Sequence, residues 1–126
     1  MMKIIVVDDE EDVQILFRQK FRKELKTNQV EFYFALSAEE ALTYLQSLER
    51  TTITLIISDI NMPGMNGLEL LKIIKDNHQY AKVFMMTAYS DDQRQKIAIS
   101  NKADEYMTKP VNFEELKEKI FNLLTI

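Results

Sequence analysis

The sequence predicts an α/β fold of the doubly wound kind, a parallel sheet with helices on both faces. Two observations carry that prediction. Five short apolar runs alternate with five segments of helical pattern, and three of the runs are nearly continuous Ile, Val, Leu, Met or Phe. Strands covered on both faces need that composition. A regular strand–helix alternation closes through right-handed crossovers, so the sheet is parallel.

The runs are Ile4 to Val7, Val30 to Ala35, Thr54 to Ser58, Val83 to Thr87 and Glu105 to Thr108. The second sets Glu31 and Tyr33 between apolar neighbours, as an edge strand would, and the short fifth reads as the other edge. The first helical segment lines Val13, Phe17, Phe21 and Leu25 on one face; the second lines Ala38, Ala41, Leu42, Leu45 and Leu48. Ser37 with Glu40, Asn66 with Glu69 and Asn112 with Glu115 are spaced as helix N-termini. Leu71 and Ile74 face inward on the third segment, and Leu116, Ile120 and Leu123 on the fifth. The fourth, Asp91 to Asn101, has Ile97 and Ile99 among a polar majority, which predicts loose packing.

With 126 residues, 46% of them hydrophobic and 29% charged, the chain is expected to form one domain over residues 1–126 around one core. A net charge of −4 argues against a nucleic-acid surface, which needs clustered Lys and Arg. The absence of cysteine removes disulfides and thiolate metal sites. The apolar run at Ile4 to Val7 is too short for a signal peptide or membrane span, so a cytoplasmic protein is the expectation.

In a doubly wound sheet, ligands bind at the carboxyl ends of the strands, where the strand order reverses. The first strand ends in Asp8-Asp9-Glu10, the third in Asp59, the fourth in Thr87 and the fifth in Lys109. Each has an ordinary reading when taken singly. Asp9 or Glu10 can cap the next helix, Thr87 suits a strand, and Lys109 can be a solvated loop residue. Four of five strand ends supplying complementary groups is harder to obtain by chance. Backbone punctuation agrees. Of two glycines and two prolines, Pro63, Gly64 and Gly67 follow Asp59, and Pro110 follows Lys109.

Asp8, Asp9 and Asp59 brought together would repel one another and raise some pKa values, and a hard divalent cation relieves that repulsion. Mg²⁺ suits such a site, because it takes oxygen ligands and typically one or two carboxylates beside a substrate phosphate. No calcium-loop pattern occurs, and His78, the single histidine, falls in an expected surface turn and reads as structural. A carboxylate beside Mg²⁺ can attack phosphorus, with Lys109 and Thr87 serving the equatorial oxygens. No Gly-rich phosphate loop is present, so a nucleotide donor is not expected.

Val6-Val7-Asp8-Asp9-Glu10, Asp59 to Gly67, Met86-Thr87-Ala88 and Tyr106-Met107-Thr108-Lys109-Pro110 together resemble the signature blocks of response regulator receiver domains of two-component systems. The resemblance runs in order from Lys3 to the last helix. It implies a flavodoxin-like (βα)5 fold with strand order 2-1-3-4-5, the order that illustrates the switch-point rule. It further implies that Asp59 accepts a phosphoryl group from a phosphohistidine on a sensor histidine kinase or histidine phosphotransfer protein. Asp9 and Asp59 would ligate Mg²⁺ directly, Asp8 mainly through water, and Asn61 through its backbone carbonyl. Lys109 would pair with the phosphoryl oxygens, Thr87 and Tyr106 would switch position on activation, and Lys109–Pro110 would be cis. Asn61 and Tyr89 would tune hydrolysis of the phosphate. Output would pass through the fourth helical segment, fifth strand and fifth helical segment, to a protein target or to an output domain of a longer chain. The protein would be a monomer or a phosphorylation-dependent dimer. Two departures stand out. Lys102 replaces the usual glycine before Ala103-Asp104, with Asn101 the expected left-handed residue, and Val111 stands where Phe is frequent.

Three other functions fit the fold. A Mg²⁺-dependent phosphatase with a covalent aspartyl phosphate, like the haloacid dehalogenase-like enzymes, would need an Asp two residues after the nucleophile. Asn61 stands there, and its amide cannot shuttle a proton. A phosphorylation-independent adapter would typically lose the acids or the lysine, and this chain keeps them. An FMN-binding flavodoxin is disfavoured, since Asp8 to Glu11 would repel the flavin phosphate.

Overall fold

The computed structural model describes residues 2–49, 54–88 and 92–124. Its strands are β1 (Met2–Val7), β2 (Val30–Ala35), β3 (Thr54–Asp59), β4 (Lys82–Thr87) and β5 (Glu105–Thr108). They form one sheet of order β2-β1-β3-β4-β5, every neighbouring pair parallel. The helices are α1 (Asp12–Lys20), α2 (Arg22–Lys26), α3 (Ala38–Gln46), α4 (Gly67–Asn77), α5 (Asp92–Ser100) and α6 (Phe113–Leu124). The expected flavodoxin-like α/β architecture and strand order are therefore both present.

The period of two in the strands divides the core in half. Ile4, Val6, Leu55, Ile57, Phe84 and Met86 face one way, onto Phe17, Phe21, Leu116 and Ile120 of the α1, α2 and α6 side. Ile5, Val7, Ile56, Val83 and Met85 face the other, onto α3, α4 and Ala98 of α5. Ser37, Asn66 and Asn112 each accept a hydrogen bond from the backbone N–H three residues on, so all three expected helix starts carry caps.

The first helical segment is divided rather than continuous. Phe21, at φ −103° and ψ 20°, separates α1 from α2 while its N–H still bonds the Phe17 carbonyl. The anticipated apolar face survives the bend, because Phe17 and Phe21 stack in parallel against the edge of Phe113. Helix α5 is anchored as weakly as its composition suggested. Ala98 is its one buried described side chain, while Ile97 and Ile99 are 41% and 59% exposed.

The left-handed residue after α5 is Lys102, at φ +70°, and not Asn101. The hydrogen bonds explain the shift. Ala103 N–H reaches the Ala98 carbonyl and Lys102 N–H the Ile99 carbonyl, which is the paired closure of a Schellman turn. That closure places the left-handed conformation at the residue donating the inner bond, the one spanning three positions, which is Lys102. Gly67 answers a different need. It opens α4 flush against the end of β3, and a Cβ there would overlap the Asp59 carbonyl oxygen and lie 2.8 Å from Ile60 Cα.

Two substitutions test these positions by urea unfolding. Lys102→Gly is expected to stabilise the fold by about 0.5–1 kcal/mol, the left-handed penalty exceeding the added chain entropy. Gly67→Ala is expected to destabilise it by roughly 3 kcal/mol, since backbone atoms must move to admit the methyl group. A neutral Gly67→Ala would show that α4 is not seated as described.

Candidate functional site

The strand order reverses at β1, whose neighbours β2 and β3 leave in opposite directions, and a crevice opens there at the carboxyl ends. Asp8 and Asp9 follow β1 on one side of it, and Asp59 ends β3 on the other. One carboxylate oxygen from each of the three lies within 4.8 Å of the others. Asp8 and Asp59 are buried; Asp9 is exposed.

Lys109 enters this cluster from the loop after β5. Its Nζ lies 2.9 Å from Asp8 Oδ2 and 3.4 Å from Asp59 Oδ2. The other oxygen of Asp8 accepts from Glu10 N–H at 3.0 Å, so both of its oxygens are engaged. Lys109 N–H donates to the Thr87 carbonyl at 2.7 Å, which ties the ends of β4 and β5 together beneath the side chain. The following Lys109–Pro110 bond is cis. Thr87 is fully buried beside β3, in which Asp59 is in register with Met86. Tyr106 is half-buried, level with Met85 and packed against the core on the α3, α4 and α5 side. Tyr89 lies outside the described residues.

The electrostatics follow from this arrangement. Burial pushes the Asp59 carboxyl above its ordinary pKa; Lys109 pulls it down, Asp8 pushes it up again, and the net displacement is upward. Burial alone would lower the Lys109 ammonium, but its hydrogen bond and attraction to Asp8, and then to Asp59, raise it. Three carboxylates against one ammonium leave a formal −2 in a set of hard oxygen donors. That donor set fits a divalent cation of the Mg²⁺ type.

The loop from Ile60 to Asn66 is fastened at several points. Ile60 N–H bonds the Met86 carbonyl, Gly67 N–H bonds the Ile60 carbonyl, and Met65 N–H donates to Glu39 Oε1 of α3 at 3.3 Å. Asn61 is exposed, its backbone N–H serves the Asp59 carboxyl, and its Oδ1 accepts from Arg94 Nη1 of α5 at 2.6 Å. Sequence reasoning missed Glu39 and Arg94, which stand far from the motif blocks with no spacing signal. His78 is remote from the cluster in sequence and fold; its Nδ1 lies 3.1 Å from Tyr80 Oη just after α4, in keeping with a structural role.

Residues 4–121 match the response regulator receiver domain family. The response regulator protein FleR of Pseudomonas aeruginosa is 33% identical over 118 residues, 94% of this chain and 24% of that protein. The transcriptional regulatory protein YvrH of Bacillus subtilis is 33% identical over 117 residues, 93% of this chain and 46% of that protein. The chain thus spans less than half the length of these relatives. Among solved structures, a CheY-like receiver domain protein from Methanospirillum hungatei superposes with a TM-score of 0.85 at 29% identity, covering 99% of this chain and 94% of that one. The Thermotoga maritima response regulator TrrA, solved in complex with Mg²⁺ and BeF, gives 0.79 at 38% identity, with 98% and 99% covered. No helix among the described residues is long and apolar enough to cross a membrane.

The raised Asp59 pKa has a consequence for stability. A carboxyl whose pKa is higher in the folded state favours folding while protonated, and that contribution is lost as pH rises through the folded value. Asp59→Asn is therefore expected to be more stable than the wild type at neutral pH, in metal-free buffer. The gain should fade below about pH 4, where both states are protonated. Urea midpoints measured across that range decide it, and a gain that does not depend on pH would contradict the assignment.

Proposed function

The chain belongs to the response regulator receiver domain family, and from that membership we propose a phosphorylation-dependent signalling switch, formed by residues 1–126 as one receiver domain, that takes its phosphoryl group on Asp59. The donor is a phosphohistidine on a sensor histidine kinase or a histidine phosphotransfer protein. The observation that carries this reading is the placement of Lys109 between Asp8 and Asp59, at the mouth of a three-carboxylate crevice.

Each residue then has a task that its chemistry allows. Asp59 is the nucleophile: a carboxylate oxygen forms a bond to phosphorus as the bond from phosphorus to the donor nitrogen breaks, and the imidazole leaves with the electron pair. Lys109 is near enough to exchange its contact with Asp59 Oδ2 for one with an incoming phosphoryl oxygen, without releasing Asp8. Asp9, Asp59 and the Asn61 backbone carbonyl would hold Mg²⁺ directly and Asp8 through water, and the ion would supply positive charge to the phosphoryl oxygens. The engagement of both Asp8 oxygens supports that division among the acids. Thr87 would donate its hydroxyl to a phosphoryl oxygen, and Tyr106 would follow it inward.

That movement changes the face built by α5, β5 and α6, which meets a protein target or the output domain of a longer chain. The thin anchoring of α5 on Ala98 suits an element with two positions of similar energy. A phosphatase reading finds less support. The residue two places after Asp59 is an amide that cannot carry a proton, and its oxygen is held by Arg94.

Treating the protein with acetyl phosphate and Mg²⁺ tests the proposal. The expected result is the mass gain of one phosphoryl group, labile to hydroxylamine and absent from Asp59→Asn, with amide shifts at Thr87, Tyr106 and α5. Labelling of another residue, or phosphorylation of Asp59 that leaves those amides still, would overturn it.

A further inference from the structure

Arg94 stands in the first turn of the least anchored helix, yet it is half-buried and reaches back over the loop that follows Asp59. Its Nη1 donates to Asn61 Oδ1 at 2.6 Å, across 33 positions of sequence. The contact has a fixed polarity. A guanidinium has donors only, so the oxygen end of the Asn61 carboxamide must face Arg94. The NH₂ end is left to meet whatever approaches from the other side. A bond from a charged donor is also among the stronger side-chain hydrogen bonds.

We infer that Arg94 is a positioning residue for the Asp59 reaction, and that its latch on Asn61 prolongs the life of an aspartyl phosphate by turning away the water that would hydrolyse it. This rests on the phosphoacceptor role proposed for Asp59. In hydrolysis the oxygen of a water forms a bond to phosphorus while the bond from phosphorus to the Asp59 carboxylate oxygen breaks. The carboxylate leaves with the electron pair, and inorganic phosphate and a proton go to solvent. A neighbouring acceptor holds that water by a hydrogen and leaves a lone pair aimed at phosphorus. A neighbouring NH₂ draws on one of the water's two lone pairs and offers nothing to accept its proton, so the water is left less nucleophilic and unassisted. Latched by Arg94, Asn61 offers the unproductive end.

The same contact joins the acceptor loop to α5, so lifetime and the position of α5 are set by one bond. Charge alone would act in the opposite sense. A guanidinium near a phosphoryl group assists attack by screening its oxygens, and removing it would slow hydrolysis. The sign of the effect therefore separates the two roles.

The test uses the full chain as wild type, Arg94→Met, Arg94→Lys, Asn61→Ala and the double variant Asn61→Ala/Arg94→Met. Each is phosphorylated with acetyl phosphate and Mg²⁺, the donor is removed, and the loss of phosphoryl is followed by intact mass. Arg94→Met is expected to shorten the half-life roughly 3- to 10-fold, the scale of losing one orienting hydrogen bond. Arg94→Lys, which keeps a charged donor, should stay within about twofold of wild type. In the Asn61→Ala background, Arg94→Met should change nothing further, the non-additivity of two residues acting as one unit. A second readout needs neither metal nor phosphate: the Asn61 side-chain NH₂ resonances should shift in Arg94→Met, and α5 amides should exchange faster. An unchanged or longer half-life in Arg94→Met, or the same acceleration in the Asn61→Ala background, overturns the inference. If the wild type takes up no phosphoryl group on Asp59, the proposed function fails instead. The latch is then judged on the Asn61 resonances, and an Asn61 NH₂ signal unmoved by Arg94→Met would refute it.

Discussion

The ammonium of Lys109, placed between the buried carboxylates of Asp8 and Asp59, is the interaction around which the rest of the site is arranged. Without a cation in that position, two acids from adjacent strands would be desolvated side by side, and one would give up its charge. The fold supplies what that placement needs. Parallel β1 and β3 bring their carboxyl ends level, and the Lys109 N–H bond to the Thr87 carbonyl fixes where the lysine leaves β5. Three carboxylates with one lysine remain deficient in positive charge. A divalent cation would offset that imbalance.

The elements around the crevice are held unequally. The crevice stands on strands whose side chains are buried on both faces, and Gly67 lets α4 begin directly against the Asp59 backbone. On the far side, the attachments of α5 among the described residues include one buried alanine, the turn at Lys102 and the Arg94 contact with Asn61. The proposed switch draws on that contrast between a firmly seated crevice and a lightly held helix, since elements with few buried contacts shift at the least cost.

Much of this was legible in residues taken one at a time. The strand runs, the three capped helix starts and the acids at the strand ends are local patterns set by periodicity and backbone geometry, and the structure contains them. The divided first helix was not legible, since the apolar spacing of Phe17 and Phe21 is the same in a straight helix and a bent one. Residue preference alone points to Asn101 as the left-handed residue after α5, whereas the backbone hydrogen-bond closure selects Lys102. Glu39 against the loop after Asp59 and Arg94 on Asn61 are contacts between distant segments, and no local pattern announces them.

The sequence by itself determined the kinds of element, their order and the chemistry available at the strand ends, because these depend on side-chain period and residue type. Only the tertiary structure decided how that chemistry is shared: which acids are buried, which two hold the lysine, and which helix reaches across to Asn61. Those outcomes depend on distances of a few ångströms between segments far apart in the chain. Electrostatic and hydrogen-bond energies change steeply over such distances, and composition carries no information about them.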